Sequence, residues 1–199
     1  REHLFAGLDF QDHLARFLEN HDEPRAAATF APEVHRAAAI LTFLTPGLRF
    51  FHQGQREGKR VRIPVHLGRG PDEAAEAGIA AFYDGLLECL KDPAFRDGGW
   101  QLLECRPAWD GNESWDAFVA FSWTGPGERR RLVAVNYADH QGQCYVTMPW
   151  RDLDGRTWRL QDLIGPSVYN RRGGDLTWQG LYLDMPAWGY HVFTVSPAG

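Results

Sequence analysis

The sequence predicts two differently built regions, an α/β region followed by an all-β region that forms an antiparallel β-sandwich. All eight Trp residues stand at position 100 or later, whereas 15 Ala residues precede that position and only 7 follow it. Ala favours helices and Trp favours strands, so the composition changes with the type of structure. We place the boundary between Asp92 and Gly99, which gives regions at 1–95 and 99–199.

The overall composition is that of an ordinary globular chain, with 44% hydrophobic and 24% charged residues. Its longest apolar runs are far shorter than the roughly 20 residues that a membrane span needs. The formal net charge is −5, which argues against a nucleic-acid or anionic-membrane partner. Three Cys residues at positions 89, 105 and 144 lack metal-ligand spacing. We expect them to be small buried apolar groups, and we expect no metal and no cofactor. Nothing in the sequence assigns a cellular location.

The first region begins with weak helical spacing over 2–12, and the short segment 15–20 then predicts a strand. Pro32 is followed by strong helix formers, which predicts a helix that ends before the Pro46-Gly47 pair.

A compact apolar run over 48–53, flanked by Gly47 and Gly54, predicts a second strand. A polar loop leads to Pro71, where acidic residues suggest the first turn of a helix reaching Leu90. The order strand, helix, strand, helix is typical of a parallel sheet with right-handed crossovers. Because two strands cannot cover a parallel sheet, we expect further strands from chain upstream of residue 1.

The second region contains short runs rich in β-forming residues, separated by turn clusters. These runs cover 118–123, 132–136, 144–148 and 190–195. Glycine-containing clusters between them are typical turn sequences. Together they predict an antiparallel sandwich of about seven or eight strands.

A His-Asp pair, His21-Asp22, directly follows the first predicted strand. The carboxyl ends of parallel strands open onto one shared cavity, where catalytic groups are commonly found. An isolated pair of this kind is more often a turn cap or an ordinary surface feature. The pair by itself therefore decides nothing.

Two longer segments give the pair a context. The segment 17–25, FLENHDEPR, resembles the fourth sequence region of the alpha-amylase family of glycoside hydrolases, F-x-x-N-H-D with a following Pro and Arg. The segment 46–55, PGLRFFHQGQ, is similar to the family's eighth-strand segment. Arg49 and Arg56 stand where the family often has Pro and Glu. The resemblance implies that 1–95 form the last two β/α units of a (β/α)8 barrel and 99–199 the β-sandwich called domain C.

The resemblance further implies a retaining alpha-glycosidase or transglycosidase that acts on alpha-glucans or maltooligosaccharides. Such enzymes pass through an oxocarbenium-like transition state between two carboxyl groups. Asp22 matches a third carboxylate, which stabilises that state, and His21 would donate to a hydroxyl of the same sugar. Arg25 would bind a sugar hydroxyl, hold a carboxylate or form an ordinary surface salt bridge.

The family's nucleophilic Asp and acid/base Glu belong to the fourth and fifth barrel strands, and nothing in this chain matches those motifs. We therefore expect the chain to be the C-terminal part of a longer enzyme, to pack against an upstream barrel segment, and to be inactive alone. Two alternatives stay open. In the first, the chain is a non-catalytic carbohydrate-binding unit, with Trp109 and Trp115 as the best candidates for exposure. In the second, it belongs to a catalytically dead scaffold derived from the family. The basic segment 55–62 is expected to be a solvated loop or, failing that, a rim that contacts substrate.

Overall fold

The computed structural model describes residues 1–199, which form a parallel strand pair with helices packed against an antiparallel sandwich. The elements of the first part are a 3-10 turn (His3–Phe5), α1 (Leu8–Asp12), β1 (Ala15–Arg16), α2 (Ala26–Thr29), α3 (Pro32–Leu44), β2 (Leu48–Arg49), α4 (Ala77–Leu90) and α5 (Ala94–Asp97). β1 and β2 pair in parallel, with Ala15 opposite Leu48. The predicted order of strand, helix, strand and helix is therefore present. The structure contains this one parallel pair and no closed barrel.

The sandwich consists of nine strands, which is more than the seven or eight predicted. They are β3 (Gly99–Leu103), β4 (Cys105–Pro107), β5 (Phe118–Gly125), β6 (Arg129–Asn136), β7 (Gly142–Val146), β8 (Thr157–Asp162), β9 (Val168–Arg172), β10 (Leu181–Met185) and β11 (Tyr190–Pro197), with α6 (Gly173–Trp178) before β10. One sheet has six strands in the order β3-β5-β6-β11-β8-β9, and the other has three in the order β10-β7-β4. All neighbours within both sheets are antiparallel. The chain changes sheets at Glu104, between β3 and β4.

Both predicted strands of the first part are shorter than expected. The last hydrogen bond between the two strands runs from the Phe50 N–H to the Arg16 carbonyl oxygen, at 2.9 Å. Neither strand has a second neighbour, so no further ladder keeps the segments after them extended. The residues after Arg16 and after Arg49 therefore form loops, and these loops build the candidate site.

The helix predicted from Pro71 begins only at Ala77. The Glu76 carboxylate caps it by accepting hydrogen bonds from the Gly78 and Ile79 backbone N–H groups. Asp72 and Glu73 therefore lie before the helix, and the expectation that they occupy its first turn was wrong. A side-chain cap satisfies the free N–H groups at a helix start, which explains why the helix begins here.

A glycine is required between α3 and β2. Gly47 has a φ of +119°, and a Cβ atom there would lie 2.4 Å from the Leu14 carbonyl oxygen. Only glycine adopts this conformation at low cost. The predicted end of the helix before Pro46-Gly47 is confirmed, and this turn places β2 beside β1.

The central strands of the six-stranded sheet, β5 and β6, are buried on both faces. Alternate residues such as Phe118 and Leu132 pack against the three-stranded sheet, whereas Phe121 and Val133 pack against α3, α4 and α5. Strands buried on both faces read as continuous apolar runs, which explains the sequence of β6. The helices and the sandwich consequently share one core, and the predicted boundary at 92–99 falls on α5.

All three cysteines are free and buried, which confirms their predicted location. Burial raises the pKa of the Cys89 thiol to about 11, as expected for a group enclosed by apolar side chains. No helix is both long and apolar enough to cross a membrane.

Candidate functional site

The loop after β1 carries the predicted pair and is shaped by Asn20. The Asn20 Oδ1 atom accepts hydrogen bonds from the Asp22 N–H at 2.8 Å and the Glu23 N–H at 3.0 Å. This is the self-hydrogen-bonded turn that Asn favours. It leaves the side chains of His21 and Asp22 58% and 73% exposed, with His21 Nε2 and Asp22 Oδ2 3.2 Å apart. The two groups are therefore available to a ligand.

A buried ion pair lies directly beneath this turn. Arg25 Nη1 is 3.1 Å from Glu19 Oε1, and both side chains are almost fully buried. The other Glu19 oxygen accepts from the Ala26 N–H at 2.6 Å, at the start of α2. Both ends of the 19–26 segment are thus held by one carboxylate.

Arg25 also connects this segment to the exit of β2. Its Nη2 group donates to the Gln53 carbonyl oxygen at 2.9 Å, and Nη1 lies 2.6 Å from His52 Nδ1. Gly54 has a φ of +85°, and a Cβ atom there would lie 2.5 Å from Arg25 Nη2. The glycine of the second motif therefore makes room for the arginine of the first. Of the three roles expected for Arg25, the structure has the one in which it holds a carboxylate. The expectation of a surface salt bridge was wrong, because both side chains are buried, and contact with substrate stays a prediction.

A cavity of about 520 Å³ lies between the exits of the two strands and the loop that follows β2. Its lining includes His21, Arg25 and His52. Asp22 stands beside His21 at the edge of the cavity and is not part of its lining. The three residues predicted to contact substrate are thus brought to one place, two of them in the wall and one beside it.

The far wall of the cavity is a loop that Glu73 holds in place. The Glu73 carboxylate accepts hydrogen bonds from the Arg60 N–H at 2.6 Å and the Val61 N–H at 3.2 Å. The hydrogen bond from Arg60 is the main reason that the pKa of Glu73 lies below its usual value. Arg62 Nε donates to the His21 carbonyl oxygen at 3.2 Å. The basic segment therefore touches the site through the backbone of His21.

A second buried network supports the cavity from the helix side. Gln55 donates through Nε2 to the Tyr83 hydroxyl at 2.8 Å, and its Oε1 accepts from the His52 N–H at 3.2 Å. His35 Nε2 is 2.9 Å from the same hydroxyl. Burial lowers the pKa of His35 to about 4, so the imidazole is neutral near pH 7. The Gln of the second motif therefore anchors the loop to α3 and α4.

The two departures from the family pattern lie outside the cavity lining. Arg49 donates to the carbonyl oxygens of Phe43 at 2.7 Å and Phe95 at 2.5 Å, which ties β2 to the end of α3 and to α5. Arg56 is exposed and donates to Asp84 on α4 at 2.7 Å. Both arginines act in the scaffold.

The sequence reasoning missed Glu19 as the buried anchor of the site. A carboxylate inside an otherwise apolar segment, followed six residues later by Arg, is the signal that could have identified a buried ion pair. Of the two aromatic candidates, Trp109 is 55% exposed, whereas Trp115 is half-buried with Arg1 5.4 Å from its ring. The predicted exposure therefore holds for Trp109 and was wrong for Trp115, because Trp115 packs against the sandwich core.

No group of three or more His, Cys, Asp or Glu side chains is arranged to hold a metal ion. A larger cavity of about 720 Å³ lies between the N-terminal segment and the sandwich. Its lining includes Trp115 but none of His21, Asp22 and Arg25.

Solved structures of two alpha-amylases and a trehalose-6-phosphate hydrolase share the fold of this chain. A noncanonic maltogenic alpha-amylase from Thermotoga neapolitana matches 90% of this chain with a TM-score of 0.72 and 15% identity. An alpha-amylase from Geobacillus thermoleovorans, solved in complex with acarbose, matches 92% with a TM-score of 0.69 and 16% identity. A trehalose-6-phosphate hydrolase from Bacillus licheniformis matches 94% with a TM-score of 0.62 and 15% identity.

The chain spans 40%, 39% and 45% of the lengths of these three proteins. No protein-family model and no curated protein matches the sequence. The structural matches confirm, at the level of the fold, the resemblance to the alpha-amylase family drawn from the two motifs.

Proposed function

We propose that this chain, which shares its fold with alpha-amylase family enzymes, carries part of the substrate site of a retaining alpha-glycosidase or transglycosidase. Its substrates would be alpha-glucans or maltooligosaccharides. One observation carries the proposal: exposed His21 and Asp22 stand in the loop after β1, beside a 520 Å³ cavity between the exits of two parallel strands. A solved protein with this fold was crystallised with acarbose, which supports a carbohydrate ligand.

Residues 1–95 would form the last two β/α units of a (β/α)8 barrel, followed by domain C over 99–199. The parallel pairing of β1 with β2 through α2 and α3 supports this assignment. Phe17, Leu48 and Phe50, next to or within the strand pair, are 43%, 69% and 42% exposed. Exposed apolar groups of this size commonly mark a surface that another element covers. We propose that an upstream barrel segment covers them.

Asp22 would act by accepting hydrogen bonds from hydroxyls of the sugar ring at the cleavage site. Positive charge develops on that ring in the transition state, so a carboxylate binds it more tightly there than in the ground state. His21, 3.2 Å from Asp22, would donate to the same ring. Arg25 and Glu19 would keep both side chains in place, because their ion pair fixes the ends of the loop.

The nucleophile and the general acid/base would come from outside the 199 residues. A retaining mechanism needs two carboxyl groups about 5 Å apart on either side of the bond. Only Asp22 in this chain matches a catalytic carboxylate of the family, and it matches the third one. The proposal therefore requires that the chain by itself releases no reducing sugar from starch.

The test uses the purified chain with maltoheptaose, followed by site-resolved NMR. We expect the amide signals of His21 and Asp22 to shift, and Asp22→Asn to weaken this local binding about tenfold, as for loss of a hydrogen bond to a charged group. Asp139→Asn is the matched control, because Asp139 and His140 form another exposed adjacent pair at 3.2 Å. Equal effects of the two variants, or release of reducing sugar by the chain alone, would overturn the proposal.

A further inference from the structure

The outer face of the three-stranded sheet carries a row of aromatic side chains. In the strand register, Tyr182 lies opposite Tyr145, and Tyr145 lies opposite Arg106. The two tyrosine rings are 5.4 Å apart at their centroids and tilted by 56°. Alternate residues of β7 and β10, among them Cys144 and Leu183, point into the core. The tyrosines therefore belong to the face that the sandwich leaves open.

Trp178 extends this row beyond the sheet. It is the last residue of α6 and is 70% exposed. Trp178, Tyr145 and Arg106 line one open cavity of about 720 Å³. A large ring left in water costs free energy unless a ligand covers it.

Polar groups on the same face are held by hydrogen bonds within the protein. Gln143 Nε2 donates to Asp184 Oδ1 at 2.9 Å, and these two residues are register partners next to the tyrosine pair. Arg106 Nη2 donates to the Gln179 carbonyl oxygen at 2.8 Å. The face thus combines flat aromatic surfaces with fixed donors and acceptors.

We propose that this aromatic face, formed by Arg106, Gln143, Tyr145, Trp178, Tyr182 and Asp184, is a second carbohydrate-binding site that takes a linear, uncharged alpha-1,4-glucan. Sugar rings present apolar C–H faces that cover aromatic rings and hydroxyl edges that pair with amide, carboxylate and guanidinium groups. One positive and one negative side chain leave the face without net charge, which suits a neutral ligand.

The aromatic face is separate from the proposed catalytic cleft. Its residues belong to β4, β7, β10 and α6, and none of them lines the 520 Å³ cavity. Carbohydrate binding follows from the chemistry of the face. The choice of an alpha-1,4-glucan rests on the proposed function. An enzyme with both sites would hold a long substrate at the sandwich while its chain end or another segment is processed at the barrel.

The test titrates the 199-residue chain with maltoheptaose and follows the indole N–H signals of the tryptophans by NMR. We expect the Trp178 signal to shift and the Trp109 signal to stay in place. Trp178→Ala and Tyr182→Ala should each weaken binding at this face about tenfold, in line with the contribution of an aromatic contact together with the apolar area it buries. Trp109→Ala is the matched control, because Trp109 is also exposed, at 55%, and lies outside the face.

Circular dichroism and thermal unfolding establish that each variant is folded. Retardation of the chain in a gel that contains soluble starch provides a second readout, which Trp178→Ala should reduce. The Trp178 shift should persist in Asp22→Asn, and the His21 and Asp22 shifts should persist in Trp178→Ala. Loss of binding at the cleft and loss of binding at the aromatic face can therefore be told apart.

Three results would overturn the proposal. One is an unchanged Trp178 signal at saturating maltoheptaose. Another is that cellohexaose, a beta-1,4-glucan, binds at the aromatic face and maltoheptaose does not. The third is self-association through the face, seen as a dimer in light scattering that Trp178→Ala abolishes and maltoheptaose does not disturb.

Discussion

Arg25 Nη1 lies 3.1 Å from Glu19 Oε1, and the two side chains are only 5% and 1% exposed. The pair joins the exits of β1 and β2, because Arg25 also donates to the Gln53 carbonyl oxygen. A buried ion pair is costly to assemble and still more costly to break, since removal of one charge leaves the other without a partner. The geometry of the candidate site therefore depends on two residues that a ligand need not touch.

Glu19→Gln should destabilise the chain by about 3–5 kcal/mol, the range for loss of one partner from a buried ion pair. The variant leaves the Arg25 guanidinium buried without a countercharge. Urea unfolding followed by circular dichroism measures the change. Arg56→Gln is the control, because its pair with Asp84 is exposed and should contribute less than about 1 kcal/mol. Similar losses in the two variants would show that the buried Glu19–Arg25 pair contributes no more to the free energy of unfolding than an exposed pair.

The fold class and the site could be predicted from the sequence to different extents. The change from Ala to Trp and the alternating runs such as 118–123 predicted the sandwich, because these patterns reflect local preferences and one-sided burial. The lengths of β1 and β2 could not be predicted, since they depend on neighbouring strands that the segments themselves do not encode. The buried role of Glu19 depends on Arg25, His52 and the α2 backbone meeting in space.

Asn20→Ala should loosen the turn that presents His21 and Asp22. The Asn20 side chain accepts two backbone hydrogen bonds, so we expect a loss of about 1–2 kcal/mol in stability and weaker local binding of maltoheptaose. Denaturant unfolding and the NMR titration measure the two effects. Asn170→Ala, at an exposed position on β9, should change neither. Unchanged shifts at His21 in Asn20→Ala would contradict a positioning role for the turn.

Stability should fall as the pH decreases from about 6.5 to 4. The pKa of His35 is lowered to about 4 by burial, first of all, and by Arg36, against a usual value near 6.5. The unfolded chain therefore binds a proton in this range that the folded chain does not, and the folded state loses stability until both forms are protonated. The full loss is about 3 kcal/mol at about 1.4 kcal/mol per pKa unit.

Urea unfolding at intervals between pH 7 and pH 4 measures this dependence. His35→Gln should remove most of the slope, whereas His140→Gln, at an exposed position, should retain it. A slope that persists in His35→Gln would assign the pH dependence to other groups.

The chain alone should self-associate through the strand pair. Phe17 and Phe50 meet edge to face at 6.3 Å, and both are more than 40% exposed. The double variant Phe17→Ser, Phe50→Ser should reduce association in light scattering and lower the binding of a hydrophobic dye. Val168→Ser, on exposed β9, should leave both signals unchanged. A wild-type chain that stays monomeric at high concentration would count against an uncovered interface here.

The helices and the sandwich should unfold together, because Trp123 joins them. Its indole N–H donates to the Leu44 carbonyl oxygen at 2.8 Å, near the end of α3, and its ring packs edge-on against Phe95. Trp123→Phe removes this hydrogen bond and part of the shared core, so we expect a loss of about 2–3 kcal/mol. Trp178→Phe, at an exposed position, should have almost no effect on stability.

Far-ultraviolet circular dichroism follows the helices and tryptophan fluorescence follows the sandwich. Coincident transitions are expected in the wild type, because α3, α4 and the six-stranded sheet share one hydrophobic core. Neither part can unfold without exposing that core. Two separated transitions would show that the sandwich is stable without the helices and that Trp123 contributes only to local packing.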